Sequence, residues 1–294
     1  MIQTILSYFF FFLVMFLGEA SFLSKLFADI PYVLVTVAPH KYFVEKIAKD
    51  TLHVHLMVPA GASAHTYEPT PKQMVTASKA NLWFRIGEPF ENRAIQAMKS
   101  HNPKFEVVNL QEGLDLITAD PQHVHCRCCH GSVDLHFWLS CRQAQIQAQT
   151  IANALSKAFP AYANFYQKNA IAFQEELKEL DEKIQGLLAP LKNRNILVSH
   201  PAYAYFCRDY EIEQHAIEVE GKDPTPQQMT KLLNLVRGLN LKTIFIQMQY
   251  NNKAAKLVAE TLKGSLIVLD PYSEQYMMSM LEIATAFAKQ EAYE

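Results

Sequence analysis

The chain is poor in glycine, with nine among 294 residues, which leaves little scope for a Gly-rich loop that cradles phosphate. No HExxH helix and no G-x-S-x-G elbow occurs, so neither the zinc-protease nor the α/β-hydrolase signature is present. Positive charge is not in excess: a formal net charge of -2 gives no reason to expect nucleic acid as a partner. Basic residues are missing before Lys25, and cysteine is missing before Cys126. The apolar run near the start, Ile5 to Leu17, has 13 residues interrupted only by Ser7, shorter than the roughly 20 residues that a spanning helix needs.

What is there reads as a globular, exported chain. Half of the residues are hydrophobic and 19% are charged, and the length suits two domains of ordinary size. Gly18-Glu19-Ala20 places small residues where a signal peptidase reads, so residues 1–20 are expected to be a cleaved export signal, with Ala28 as a later cleavage option and an uncleaved anchor as the alternative. Export implies an oxidising compartment. The five cysteines, Cys126, Cys128, Cys129, Cys141 and Cys207, cannot all pair within one chain, and the sequence does not choose among pairings.

Strand and helix patterns alternate. Val33–Val37, Leu52–Val58, Asn81–Gly87 and Glu106–Leu110 read as strands with helical patterns between them, the mark of a parallel sheet wrapped by helices. Thr70, Pro71 and Gln73 stand in capping-box order, as do Thr225, Pro226 and Gln228. Each cap precedes a helix and then a strand, Asn81–Gly87 in one case and Thr243–Gln247 in the other, so the second half repeats the first in outline. Arg142–Lys157 is expected to be a helix with Ile146, Ile151, Ala154 and Leu155 toward the core. From Ala161 to Leu188 a longer pattern carries Phe165, Phe173, Leu177, Leu180, Ile184 and Leu187 on one stripe. The expected layout is a first lobe over 30–159, a linking helix over 160–190 and a second lobe over 191–294.

Several histidines stand where ligands gather in such folds, beyond the carboxyl ends of strands. His65 lies on a short loop between the strand ending at Val58 and the capped helix, in Pro59-Ala-Gly61-Ala-Ser-Ala-His65-Thr-Tyr-Glu68-Pro-Thr-Pro71. His136 lies in Asp134-Leu-His136-Phe-Trp-Leu-Ser140, before a helix, and His200 follows the buried run Ile196-Leu-Val-Ser. Asp270 ends Leu266-Ile-Val-Leu in the same way. Three imidazoles and a carboxylate make a four-donor set for a transition metal. His40 is expected to cap or pack, and His53 and His55 to share one strand face.

These motifs resemble the zinc and manganese solute-binding proteins of bacterial ABC importers, over roughly residues 32–294. The resemblance implies an α/β fold of two similar parallel-sheet lobes joined by one long helix, with the ligand cleft between them. It implies His65, His136, His200 and Asp270 as metal ligands, with Glu274 or a water as the alternative in fourth place. It implies no catalysis, and as partners a zinc ion and a membrane permease, with a monomer expected. The lipid-attachment cysteine that many relatives carry is missing, so a periplasmic protein is expected. Manganese-selective relatives carry glutamate where this chain has His200, so Zn2+ is favoured over Mn2+. Zinc-specific relatives carry a His-rich insertion where this chain has His123, His125, Cys126, Cys128, Cys129 and His130 within 120–131. That segment is either a low-affinity metal collector or an exposed loop whose cysteines oxidise. The alternatives kept open are a secreted zinc hydrolase with an open coordination position, in which Glu68 would serve as base, and a metal buffer or adhesin.

Overall fold

A computed structural model describes residues 30–118, 133–219 and 222–290. The expected signal segment and the loop candidates His123, His125, Cys126, Cys128, Cys129 and His130 lie outside the described residues. Two four-stranded parallel sheets have the same strand order. The first runs β2-β1-β3-β4, with β1 at Tyr32–Val35, β2 at His53–Leu56, β3 at Leu82–Arg85 and β4 at Glu106–Asn109. The second runs β6-β5-β7-β8, with β5 at Asn195–Val198, β6 at Glu213–Ala216, β7 at Thr243–Ile246 and β8 at Ser265–Val268. In the first sheet Tyr32 pairs with His53 and Val33 with Leu82; in the second Asn195 pairs with Glu213 and Leu197 with Ile244. The central strands are continuous apolar runs such as Thr243–Ile246, buried at every position, because helices cover both faces of such a sheet.

The helices are α1 (Ala38–Ala48), α2 (Pro71–Ala77), α3 (Pro89–His101), α4 (Cys141–Ala158), α5 (Ala163–Leu188), α6 (Ala204–Asp209), α7 (Pro226–Gly238), α8 (Lys253–Leu262) and α9 (Tyr276–Ala288). Both expected capping boxes form. Thr70 Oγ1 accepts from Gln73 N at 3.3 Å, Thr225 Oγ1 accepts from Gln228 N at 3.4 Å, and each glutamine side chain reaches back to the backbone N–H of its threonine. No helix among the described residues is long and apolar enough to cross a membrane.

The long helix α5 has 26 residues, about 39 Å at 1.5 Å per residue, and packs against α1 and α4 of the first half and α9 of the second. Its first expected turn, Pro160–Tyr162, is instead a 3-10 turn. Its buried stripe runs Tyr166, Ala170, Phe173, Leu177, Leu180, Ile184 and Leu188. Phe165 and Leu187, expected in the stripe, are exposed because each lies one residue, about 100°, off that line. Ile146 of α4 is likewise exposed, its expected place in the core being held by Ala144, Gln147 and Ala148.

Hydrogen bonds stitch the two halves together. Tyr205 Oη donates to the Asp134 carbonyl at 2.7 Å and accepts from Ile117 N at 3.0 Å. Trp138 Nε1 donates to the Pro271 carbonyl at 2.8 Å, and Tyr276 Oη donates to the Trp138 carbonyl at 2.7 Å. Burial makes each of these bonds costly to leave unmade.

Candidate metal centre

The strand ends deliver the site. His65 follows β2 in the 3-10 turn Ala64–Thr66, reached through Gly61 at φ 79, and lies just before the capped α2. His136 precedes the 3-10 turn Phe137–Leu139 and the Ser140 cap of α4, where Ser140 Oγ accepts from Gln143 N at 3.0 Å. His200 follows β5 by two residues. The loops after β3, β6, β7 and β8 bring Glu88, Glu218, Tyr250 and Tyr272 to the same region.

One nitrogen from each of His65, His136 and His200 lies within 4.8 Å of the others. The rings stand 5.1 to 5.4 Å apart between centroids. Each Nδ1 faces a different carboxylate: His65 Nδ1 is 2.9 Å from Glu88 Oε1, His136 Nδ1 is 2.8 Å from Asp134 Oδ1, and His200 Nδ1 is 2.7 Å from Glu218 Oε2. Asp134 Oδ1 also accepts the backbone N–H of His136 at 2.8 Å, which fixes that ring's base as well as its plane. A carboxylate at Nδ1 holds the proton there and turns the Nε2 lone pair outward as a donor to a metal. His65 Nε2 is buried with no hydrogen-bond partner among the described residues. An orphaned lone pair of that kind is what a bound cation satisfies.

The three rings are in different electrostatic settings. Burial, followed by its two neighbouring imidazoles, holds His200 well below the ordinary histidine pKa, so it is neutral and ready to donate. For His65 burial again favours the neutral ring, but the hydrogen bond and charge of Glu88, with Asp134 and Glu218 behind, outweigh it and raise the pKa. Glu218 is itself pushed up to about 7 by burial and by Asp223.

Asp270 does not join this cluster. Its Oδ1 accepts from Gln249 Nε2 at 2.7 Å and from Tyr272 N at 3.0 Å, which ties the carboxylate to the loop after β7 and to its own loop. Glu274, the other candidate, is half exposed and pairs with Lys41 Nζ at 3.1 Å. Neither His53 nor His55 belongs to the cluster; His55 stacks on Tyr32 at 5.7 Å. His40 packs, as expected, with Nε2 bonded to Gln147 Oε1 at 2.7 Å. Glu218, Tyr250 and Tyr272 were not singled out from the sequence; carboxylates and phenols placed just beyond strand ends are the only signal that marks them.

Twin parallel-sheet lobes with a cluster of donor nitrogens in the cleft define a metal-binding solute receptor of the ABC-importer type. The family model described as ZnuA, zinc-uptake complex component A, periplasmic, matches residues 33–290, and the chain belongs to this family. Its proteins are substrate-binding components and not enzymes. A protein of Chlamydia trachomatis, provisionally named a metal-binding protein, is 34% identical over 259 residues, covering 87% of this chain and 90% of that one. The high-affinity zinc uptake system protein ZnuA of Bacillus subtilis is 27% identical over 247 residues, covering 81% and 77%. Among solved structures, a crystal structure of ZnuA superposes with a TM-score of 0.83 at 30% identity, covering 89% of this chain and 99% of that one.

Proposed function

We propose that the protein captures zinc outside the inner membrane through His65, His136 and His200 and hands it to an ABC permease that docks on the rims of both lobes. The observation that carries this reading is the backing of every imidazole by its own carboxylate, which leaves three nitrogen lone pairs for one ion. Nitrogen donors suit zinc, whereas manganese prefers more oxygen. The permease contact and the monomeric state are part of the same proposal.

Titration calorimetry with zinc and manganese tests it. His65→Ala, His136→Ala and His200→Ala are each expected to weaken zinc binding by orders of magnitude while circular dichroism shows the fold retained. Manganese should bind more weakly than zinc to the unaltered protein. Wild-type zinc affinity in any of the three variants removes that residue from the site, and tighter binding of manganese overturns the choice of ion.

A further inference from the structure

We infer that Tyr250 is a positioning residue for His200: its ring covers one face of the imidazole, fixes the plane in which Nε2 points at the ion, and so slows release of the metal. The inference rests on the three-histidine reading above and concerns what supports one of those ligands.

A hydrogen bond at Nδ1 sets the tautomer of an imidazole but leaves the ring free to rock about that bond. His136 is braced twice, since Asp134 Oδ1 takes both its backbone N–H and its Nδ1. For His200 the carboxylate comes from 18 residues away, on the loop after β6, and meets the ring at Nδ1. Tyr250 supplies the second constraint. Its ring lies flat on His200, with centroids 4.1 Å apart and planes 15° apart. The aromatic neighbours of His136 are inclined instead, Trp138 by 56° and Tyr272 by 75°. The Tyr250 hydroxyl, 3.2 Å from His200 Nε2, stands over the ring and off the in-plane axis of the lone pair, so the nitrogen stays open to an ion.

The loop that carries Tyr250 is built to hold it there. It joins β7 to α8 as Gln247-Met-Gln-Tyr250-Asn-Asn252, and its amide side chains bond to the protein around it. Gln247 Nε2 donates to the His200 carbonyl at 3.4 Å, and Gln249 Nε2 donates to Asp270 Oδ1 at 2.7 Å. Asn252 Nδ2 donates to the carbonyls of Gln247 and Tyr250 at 2.8 and 3.1 Å. Asn251 Oδ1 accepts from Lys253 N at 3.2 Å, where α8 begins. These amides tie the strap to the backbone of the ligand itself, to the loop after β8 and to the helix that follows. Tyr250 is half-buried while His200 beneath it is 2% exposed, so the phenol ring stands between the ligand and water.

Loss of the outer support of a metal ligand costs about 10- to 100-fold in affinity. A histidine free to turn lets go of the ion more often, whereas the approach of the ion is unchanged, so the effect falls on dissociation.

The test compares the full-length protein with Tyr250→Leu, Tyr250→Phe, Asn252→Ala and His200→Ala. Zinc release to a chromogenic chelator, affinity by competition titration and melting of the metal-free forms are measured. Tyr250→Leu keeps an apolar side chain without the flat ring. It is expected to bind zinc about tenfold or more weakly, through faster release, with melting little changed. Tyr250→Phe keeps the ring and should restore slow release. Added to His200→Ala, Tyr250→Leu should change affinity by less than about twofold, because the support has no ligand left to act on. Wild-type release in Tyr250→Leu, release from Tyr250→Phe as fast as from Tyr250→Leu, or the full effect of Tyr250→Leu in the absence of His200 overturns the inference. If Tyr250→Leu does not fold, Asn252→Ala decides, since it loosens the strap and leaves the ring: faster release supports the inference and wild-type release overturns it. His200→Ala alone separates the two levels: if it binds zinc as wild type does, the three-histidine reading itself fails, whatever Tyr250→Leu shows.

Discussion

At the scale of single residues, the imidazole and its carboxylate act as one unit. Glu218 illustrates this, since its carboxylate meets His200 Nδ1 at 2.7 Å. Replacing it with glutamine keeps the shape and removes the charge that makes the ring a stronger donor. Glu218→Gln is therefore expected to weaken zinc binding by about 10- to 100-fold with little change in thermal stability, measured by calorimetry and melting. Protons compete for the same nitrogens. His65, with its raised pKa, holds a proton at higher pH than an ordinary imidazole, so zinc binding near neutral pH should release protons and affinity should fall as pH drops. Calorimetry in buffers of different ionisation enthalpy measures the released protons, and binding independent of pH between 7 and 5 would refute histidine ligation. The three histidines were legible in the sequence because motifs flank each of them. Their partners were not, because Glu218, Tyr250 and Tyr272 reach the site only once the second sheet has formed.

At the scale of elements, the same periodicities that make strands and helices readable leave their phase uncertain. Both capping boxes were legible because the cap is a local matter of three or four residues. The stripe of α5 was read with Phe165 and Leu187 in place of Tyr166 and Leu188 because an aromatic or aliphatic side chain one position off the line looks the same until a partner helix chooses the face. The turn after β3 shows how an element feeds the site. Glu91 accepts from Ile86 N at 2.9 Å and Gly87 N at 2.7 Å, and Gly87 sits at φ 106, a conformation that a side chain resists. An added Cβ would also meet Gln111 Nε2 at 2.5 Å. Gly87→Ala is expected to cost about 1 to 3 kcal/mol and, by moving the adjacent Glu88, to weaken zinc binding as well. Denaturant unfolding paired with calorimetry checks both effects.

His40 in α1 gives an element-scale test of pH. Burial, opposed in part by the Gln147 hydrogen bond, lowers its pKa from 6.5 to about 4. The unfolded chain thus takes up a proton at higher pH than the folded chain does. This contribution to stability is complete above the unfolded pKa and is lost as pH falls from about 6.5 toward 4, by up to about 3 kcal/mol. His200 acts with the same sign and His65 with the opposite one, so the comparison must be between variants. His40→Gln should show a smaller fall in unfolding free energy from pH 7 to pH 5 than the unaltered metal-free protein, and an equal fall would remove His40 as a source.

At the scale of the whole molecule, the bonds between lobes sit beside the metal site and not at its far edge. Asp134 backs His136 through its carboxylate while its carbonyl takes the Tyr205 hydroxyl of the other half. Trp138, two residues past His136, donates to Pro271, which precedes Tyr272. The long helix α5 packs on both halves at once. A wide hinge motion would have to break these buried bonds at the point where the ion binds. The motion that binding requires is small, since donor nitrogens lying within 4.8 Å of one another need to close to about 3.3 Å, a shift of about 1.5 Å or less. Side chains and the loops that carry them can absorb that. Zinc is therefore expected to leave the radius of gyration in solution scattering unchanged while slowing hydrogen exchange in the loops around His65, His200 and Tyr250. A measurable contraction on adding zinc would mean that the seam between the lobes opens in the free protein, and the bonds from Tyr205 and Trp138 would then be a feature of the closed form only.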